Sequence, residues 1–564
     1  MGHTGVATWL TSAALGVAFH GFTQLGELDL VVPQALGCLL TLALALFYAD
    51  IQLFNATKAD AAATVAVSAV GFLLSLTAST LIYRVFFHRL RKFPGPLGAK
   101  MSKFHSVYLS WNLQYHLEIE KLHKQYGDVV RTGPRELSVA RISPLNDLIT
   151  CRKSPFYSMS DRKMERQGLA FTTDFEDHRK RRRAWDISLT LQQTAKYDAP
   201  MQSMISLFLD RLSAPQQVGK PVDATEWISW LSYDIMGVVG YGKDFGNLRS
   251  AHEHAAVKGL REAMISFGVL RQVPWLGNFL AHFPGGEGPM GPFAKYCKDL
   301  VAEKRRALSA QRQGLESPTD IVTWLIKAFE EKQPYAAHTV AGLDDDSRAL
   351  VIGGADTSSA TMVNILYYLC IHPHVMKTLQ SELDAVFADG PASFTYEAVD
   401  RVPLVEAIIT ETLRLQPPVP SGQPRVTPPE GLHIPAGKNE EGDLYIPGDT
   451  VVLQPQWLIQ RDERYFERAE DFVPERWVPG APEAKMVKER TAFFPFQVGM
   501  YHCVGKQLAI WEMKSVLARI ALQFDVGFAP GEDGEAFIKG IKDTWTLTLP
   551  PLQLVFSKRK AGKA

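Results

Sequence analysis

The stretch Phe493-Phe494-Pro495-Phe496-Gln497-Val498-Gly499-Met500-Tyr501-His502-Cys503-Val504-Gly505 decides how the rest of the chain is read. Its proline and glycines resist regular structure, and an amphipathic run begins at Lys506, so the segment reads as a loop that delivers one cysteine to the start of a helix. The free N–H groups and the positive end of the helix dipole there stabilise a thiolate, the form of cysteine that binds metal. A thiolate with no companion cysteine or histidine fits a porphyrin, whose nitrogens complete the coordination. A cysteine taken at random is more often a small buried apolar residue.

The wider composition is consistent with that reading. The chain has 564 residues, 46% of them hydrophobic, enough for one large core around a cofactor. Lysine plus arginine equal aspartate plus glutamate at 60 each, so no global field recruits nucleic acid. Cys38, Cys151, Cys297, Cys370 and Cys503 are scattered without a CxxC spacing, which argues against a disulfide framework or structural zinc. Zinc-peptidase, serine-hydrolase and P-loop signatures are absent.

Three further elements carry chemistry. Glu411-Thr412-Leu413-Arg414 places a carboxylate and a guanidinium on one helix face, followed by Pro417-Pro418, and Pro474-Glu475-Arg476-Trp477 lies downstream. Taken alone, such a pair is more often a solvated ion pair. Gly353-Gly354-Ala355-Asp356-Thr357-Ser358 sits within a helix expected from about Asp345 to Cys370. Adjacent glycines there cost stability, which points to a local widening or a close ligand, with helix packing as the plainer alternative. His178-Arg179-Lys180-Arg181-Arg182-Arg183-Ala184-Trp185 reads in isolation as a solvated basic helix face without the aromatic pattern of a nucleic-acid binder.

In their order along the chain, the four elements resemble the cytochrome P-450 family, whose haem signature is Phe-x-x-Gly-x-Arg-x-Cys-x-Gly. Phe496, Gly499, Cys503 and Gly505 fall on it in register, while Tyr501 stands where the family has an arginine that pairs with a haem propionate. A tyrosine brings a hydrogen bond but no charge. The resemblance implies that Cys503 is the axial ligand of haem b iron, and that Glu411, Arg414 and Arg476 form a triad steadying the haem core. It makes Gly354, Asp356 and Thr357 part of the acid-alcohol motif over the distal face, with Asp356 and Thr357 handling protons during oxygen activation. His178 and Arg182 map onto the family's propionate-binding pair, and Arg425 is a further propionate residue. The implied fold is α+β, mainly helical, with small β-sheets.

The implied activity is haem-thiolate monooxygenation of an apolar small molecule with O2, in fungal secondary metabolism. No flavin-binding unit is evident, so electrons come from a separate partner, an NADPH-cytochrome P-450 reductase, with cytochrome b5 as a second donor. Lys180, Arg181 and Lys506 are the expected basic docking residues. Substrate choice is expected in the segment from His252 to Phe283, with Phe267, Trp275 and Phe279 lining a pocket, in the helix around Gly354, and near Val419 to Gly422. The alternatives are an isomerase or dehydratase of the same fold that takes no external electrons, and a non-catalytic haem-binding membrane protein.

Ahead of the catalytic part, Gly5 to Phe22, Val31 to Ala49 and Ala61 to Tyr83 carry no charged residue, and each approaches the ~20 residues that span a bilayer. They predict a membrane anchor over residues 1–90 with about three spans and a catalytic domain over 91–564. Arg84, Arg89, Arg91 and Lys92 follow the third span, whereas Glu27, Asp29, Asp50 and Asp60 face one Lys58 in the loops before it. The positive-inside tendency then puts the catalytic domain in the cytosol, on the endoplasmic reticulum, with the Asn55-Ala56-Thr57 sequon in the lumen. Phe93-Pro94-Gly95-Pro96 marks the junction, and Phe283 to Pro292 reads as a loop.

Overall fold

The computed structural model describes residues 3–24, 31–158, 168–281, 283, 290–310 and 317–559. Three helices lead: α1 (His3–Thr23), α2 (Val32–Leu53) and α3 (Lys58–Ile82), the last running into one wide π turn, Tyr83–Phe87. Thr57 caps α3 by accepting from the Asp60 N–H. By length and composition, α2 and the run Lys58–Phe87 could cross a membrane. The first helix packs on α3 through small residues: a Cβ on Gly16 would strike Ser75 and the Phe72 carbonyl, and one on Gly71 would meet Ser12 and Trp9. Glu27 and Asp29 lie outside the described residues.

After these helices, His88 and Leu90 are already buried, Leu90 in a small core with Leu137, Val139 and Val452. That core belongs to a five-stranded sheet of β1 (Val129–Gly133), β2 (Glu136–Val139), β3 (Arg152–Lys153), β4 (Arg425–Val426) and β5 (Val451–Leu453), in the order β1-β2-β5-β4-β3. Neighbours pair antiparallel except β2 and β5, which are parallel. Residues distant in sequence thereby meet: Lys153 is the register partner of Arg425.

The larger core is helical. Its site-forming members are α4 (Phe175–Ser188), α5 (Ala224–Met236), α6 (Val340–Val351), α7 (Thr357–Ile371), α8 (Pro403–Leu415) and α9 (Lys506–Gln523). Asp174 caps α4, Asp223 caps α5 and Thr339 caps α6, each accepting from N–H groups of the first turn. Pro403 opens α8, where its missing N–H costs nothing. Between α6 and α7 the backbone widens into a π turn over Ile352–Asp356, where the paired glycines predict a distortion.

The segment expected as a loop from Phe283 to Pro292 is helical from Met290, which starts the helix Met290–Ala310 with Pro292 in its first turn. Proline is compatible with a first turn, and that signal outweighs its reading as a breaker. Residues 284–289 lie outside the described residues.

Candidate active site

Loop geometry places Cys503. Gly499 has φ +64°, and a Cβ there would run into Ile149, so the position needs glycine. The Cys503 N–H donates to the Phe496 carbonyl at 2.8 Å, closing the loop on the two ends of the motif. At Gly505 a Cβ would come within 3.9 Å of the Cys503 sulfur. The Gly505 N–H, then Arg182 and the Lys506 N–H, favour the thiolate, but burial pushes the thiol above its ordinary value. The helix terminus expected to stabilise a thiolate is present, and the Cys503 side chain is exposed to the cavity.

Cys503 lines a cavity of about 320 Å³ with mostly apolar walls, including Leu350, Ile352, Val419 and Trp545. Gly353, Gly354 and Thr357 line it too, with Thr357 Oγ1 donating to the Gly353 carbonyl at 2.7 Å. So do His178, Arg182, Arg425, Phe496, Tyr501 and Gly505. Sequence motifs spread over more than half the chain therefore meet at one site.

The Glu411 carboxylate is fully buried and receives five donors: Arg414 Nε and Nη2 at 2.8 Å each, Arg476 Nε at 3.0 Å, the Val473 N–H at 2.9 Å and Trp477 Nε1 at 2.8 Å. Arg414 also donates to the carbonyls of Gln460 and Ala469, and Arg476 to that of Glu467. The solvated ion pair that this spacing usually means is excluded: this is a closed buried network.

The cytochrome P450 family model matches residues 94–556. The chain belongs to the cytochrome P450 family. A cytochrome P450 monooxygenase of Fusarium pseudograminearum, FCK2, is 31% identical over 97% of this chain and 96% of its own. Another of Eupenicillium brefeldianum, orf5, is 35% identical over 87% of this chain and 96% of its own. Tryprostatin B 6-hydroxylase of Aspergillus fumigatus is 30% identical over 86% and 84% respectively. The chain is accordingly a cytochrome P450 monooxygenase, a family whose cofactor is haem b.

The cavity fits that cofactor. Its one cysteine, Cys503, has no metal-binding companions, since no group of three or more His, Cys, Asp or Glu side chains that could hold a metal occurs among the described residues. Beside it the buried cations Lys153, Arg182 and Arg425 line the cavity. Tyr501 Oη and His178 Nδ1 are buried without a hydrogen-bond partner among the described residues, as donors awaiting an acceptor would be.

Individual P450 positions differ from expectation. Asp356 is not on the cavity wall; it accepts from Tyr233 Oη at 2.5 Å, and burial raises its carboxyl to about 6. Gly354 has a packing reason of its own, because a Cβ there would strike the Met236 sulfur from α5. Burial, then Lys153, Arg182 and Arg425, lower His178 to about 3, so it is a neutral neighbour rather than a cation. Arg182 donates to the carbonyls of Met500 and His502 at 3.0 and 2.6 Å, which ties α4 to the cysteine loop. Arg181 is not a surface docking residue: it is 3% exposed and pairs with buried Asp346 at 2.9 Å. Lys180 and Lys506 are exposed.

Phe267, Trp275 and Phe279 do not line the cavity. Phe267 stands one layer out, against Phe156 and Trp545, because its helix presents that face to the wall rather than to the space. Sequence reading missed Lys153, Tyr157, Trp545 and Glu512, all on the cavity. Glu512 accepts from Ser232 at 3.0 Å and burial raises it to about 8. Its place on the amphipathic run after Cys503 was the available signal, a carboxylate on a helix face otherwise buried.

Proposed function

We propose that this P450 inserts one atom of O2 into a C–H or C=C bond of an apolar organic molecule in fungal secondary metabolism, using electrons from NADPH through a separate membrane-bound reductase. The observation carrying this reading is that Cys503 and the widened turn ending at Thr357 line one mostly apolar cavity. The 30% identity to a protein named tryprostatin B 6-hydroxylase supports hydroxylation as the reaction type.

When bound, haem b held by Cys503, with Phe496, Gly499 and Gly505 shaping the loop, supplies the redox chemistry that activates oxygen. Arg182, Arg425, His178 and Tyr501 would hold its polar edge. The Glu411, Arg414 and Arg476 network keeps α8 and the Pro474–Trp477 turn in fixed relation to the cysteine loop. Leu350, Val419 and Trp545 orient an apolar substrate and exclude water. Thr357 Oγ1 holds a proton at the cavity wall, and the Asp356 carboxyl behind it serves as the titrating reserve.

Residues 1–90 serve as a multi-pass anchor in the endoplasmic reticulum, with 91–564 in the cytosol. Arg84, Arg89, Arg91 and Lys92 after α3 support that orientation. Lys180 and Lys506 offer positive charge to an acidic reductase or to cytochrome b5. Reconstitution with reductase tests the whole: product must require O2 and NADPH, and carry label from isotopic O2. Turnover without O2 or reductase would instead indicate an isomerase or dehydratase.

A further inference from the structure

Lys153 and Arg425 are register partners across the antiparallel pair β3 and β4, and they are only 4% and 5% exposed. Like charges directly opposite one another destabilise a sheet, and a buried ammonium costs more unless an anion meets it. Among the described residues neither has a carboxylate. Lys153 Nζ donates to the carbonyls of Leu169 and Ala170 at 3.2 and 2.9 Å. Arg425 donates to Tyr157 Oη at 3.1 Å, the Pro424 carbonyl at 3.2 Å and Gln423 Oε1 at 3.1 Å, all neutral. Burial, then Arg425, Arg181 and Arg182, push the Lys153 ammonium well below the ordinary lysine value.

Both cations also lie against the ring of Tyr501, Lys153 Nζ at 5.2 Å and the Arg425 guanidinium carbon at 4.5 Å from its centre. Tyr501 occupies the place of the arginine in the family signature. An arginine there would add a further cation beside two that already repel, whereas an aromatic face attracts both.

Resting on the haem reading above, we infer that Lys153 supplies from the sheet the positive charge that the signature arginine would bring at position 501. Lys153 and Arg425 together bind a haem carboxylate, and Tyr501 is the neutral ring that lets them stand side by side. Charge and ring are thus exchanged between the cysteine loop and β3, and the two positions are coupled.

The test uses full-length, haem-loaded protein in detergent, measuring haem loss to excess apomyoglobin and the midpoint potential of the iron. Lys153→Met should lose haem about 10-fold faster or more, the range seen when an outer-shell partner of a metal site is removed. Its midpoint potential should fall, because an anion beside the iron loses its counter-charge. Lys153→Arg should retain haem. Adding Tyr501→Arg to Lys153→Met should recover retention, while Tyr501→Arg alone should weaken it. If Lys153→Met holds no haem at all, the double variant and Lys153→Arg must still hold it. Haem loss at the wild-type rate in Lys153→Met, or a double variant no better than Lys153→Met, would overturn the inference. Wild-type protein without haem would overturn the underlying haem reading instead.

Discussion

Asp356 accepts a hydrogen bond from Tyr233 Oη and stands behind the cavity wall to which its neighbour Thr357 belongs. Burial is the main cause of its raised carboxyl value of about 6, and the Tyr233 hydrogen bond and Arg261 oppose it. Removing the donor in Tyr233→Phe should raise the value further and move the acid limb of the pH-activity profile to higher pH. Profiles of product formation for wild type and Tyr233→Phe check this; superimposable limbs would show that Asp356 does not set that limb. The sign for stability follows from the same shift. The folded state keeps the proton longer than the unfolded chain, so this group's contribution falls as pH rises from 3.8 to about 6 and is flat above. Asp356→Asn should remove that slope.

Thr357→Ala should separate electron use from product. With the hydroxyl gone from the wall, product formation should fall by about 100-fold, the lower end of a lost acid-base path, while NADPH oxidation continues. Thr357→Ser, which keeps the hydroxyl, should retain most product. Measuring product and NADPH together distinguishes this from simple misfolding, which lowers both.

Glu411→Gln keeps shape but removes the charge that two buried arginines share. Breaking a buried pair leaves uncompensated charge and costs about 3–5 kcal/mol. The expected result is a protein that unfolds at markedly lower denaturant and accumulates little haem. Unchanged unfolding would mean that the network is dispensable.

The two adjacent glycines should behave differently. A Cβ at Gly354 meets Met236, which is buried, so Gly354→Ala should cost about 1–3 kcal/mol by overpacking. At Gly353 a Cβ meets nothing within 4 Å, so Gly353→Ala should leave stability intact and change substrate preference, since Gly353 lines the cavity. Thermal unfolding and product profiles of the two variants check the contrast.

Much of this site is legible in the sequence because its parts are local. The cysteine loop, the Glu411 and Arg414 spacing and the paired glycines before Thr357 are each set by a few neighbouring residues. Helix periods are equally local: apolar spacing alone reads as helix over Pro373 to Phe387 and Val402 to Leu415, and the helices run Pro373–Val386 and Pro403–Leu415. Lys153 was invisible because its meaning comes from a sheet register with a residue far along the chain. Arg181 was misread for a related reason. In a run of cations only the folded helix reveals that Arg181 faces Asp346 while Lys180 faces solvent. The role of Tyr233 likewise depends on α5 packing against the widened turn.

The most direct test of the central claim, that Cys503 binds haem iron as a thiolate, is the absorption spectrum of the reduced protein in membranes under carbon monoxide, beside Cys503→Ala. The account predicts a strongly red-shifted Soret band that the substitution abolishes. A well-folded wild-type protein without haem absorbance, or a red-shifted band that survives Cys503→Ala, would contradict it.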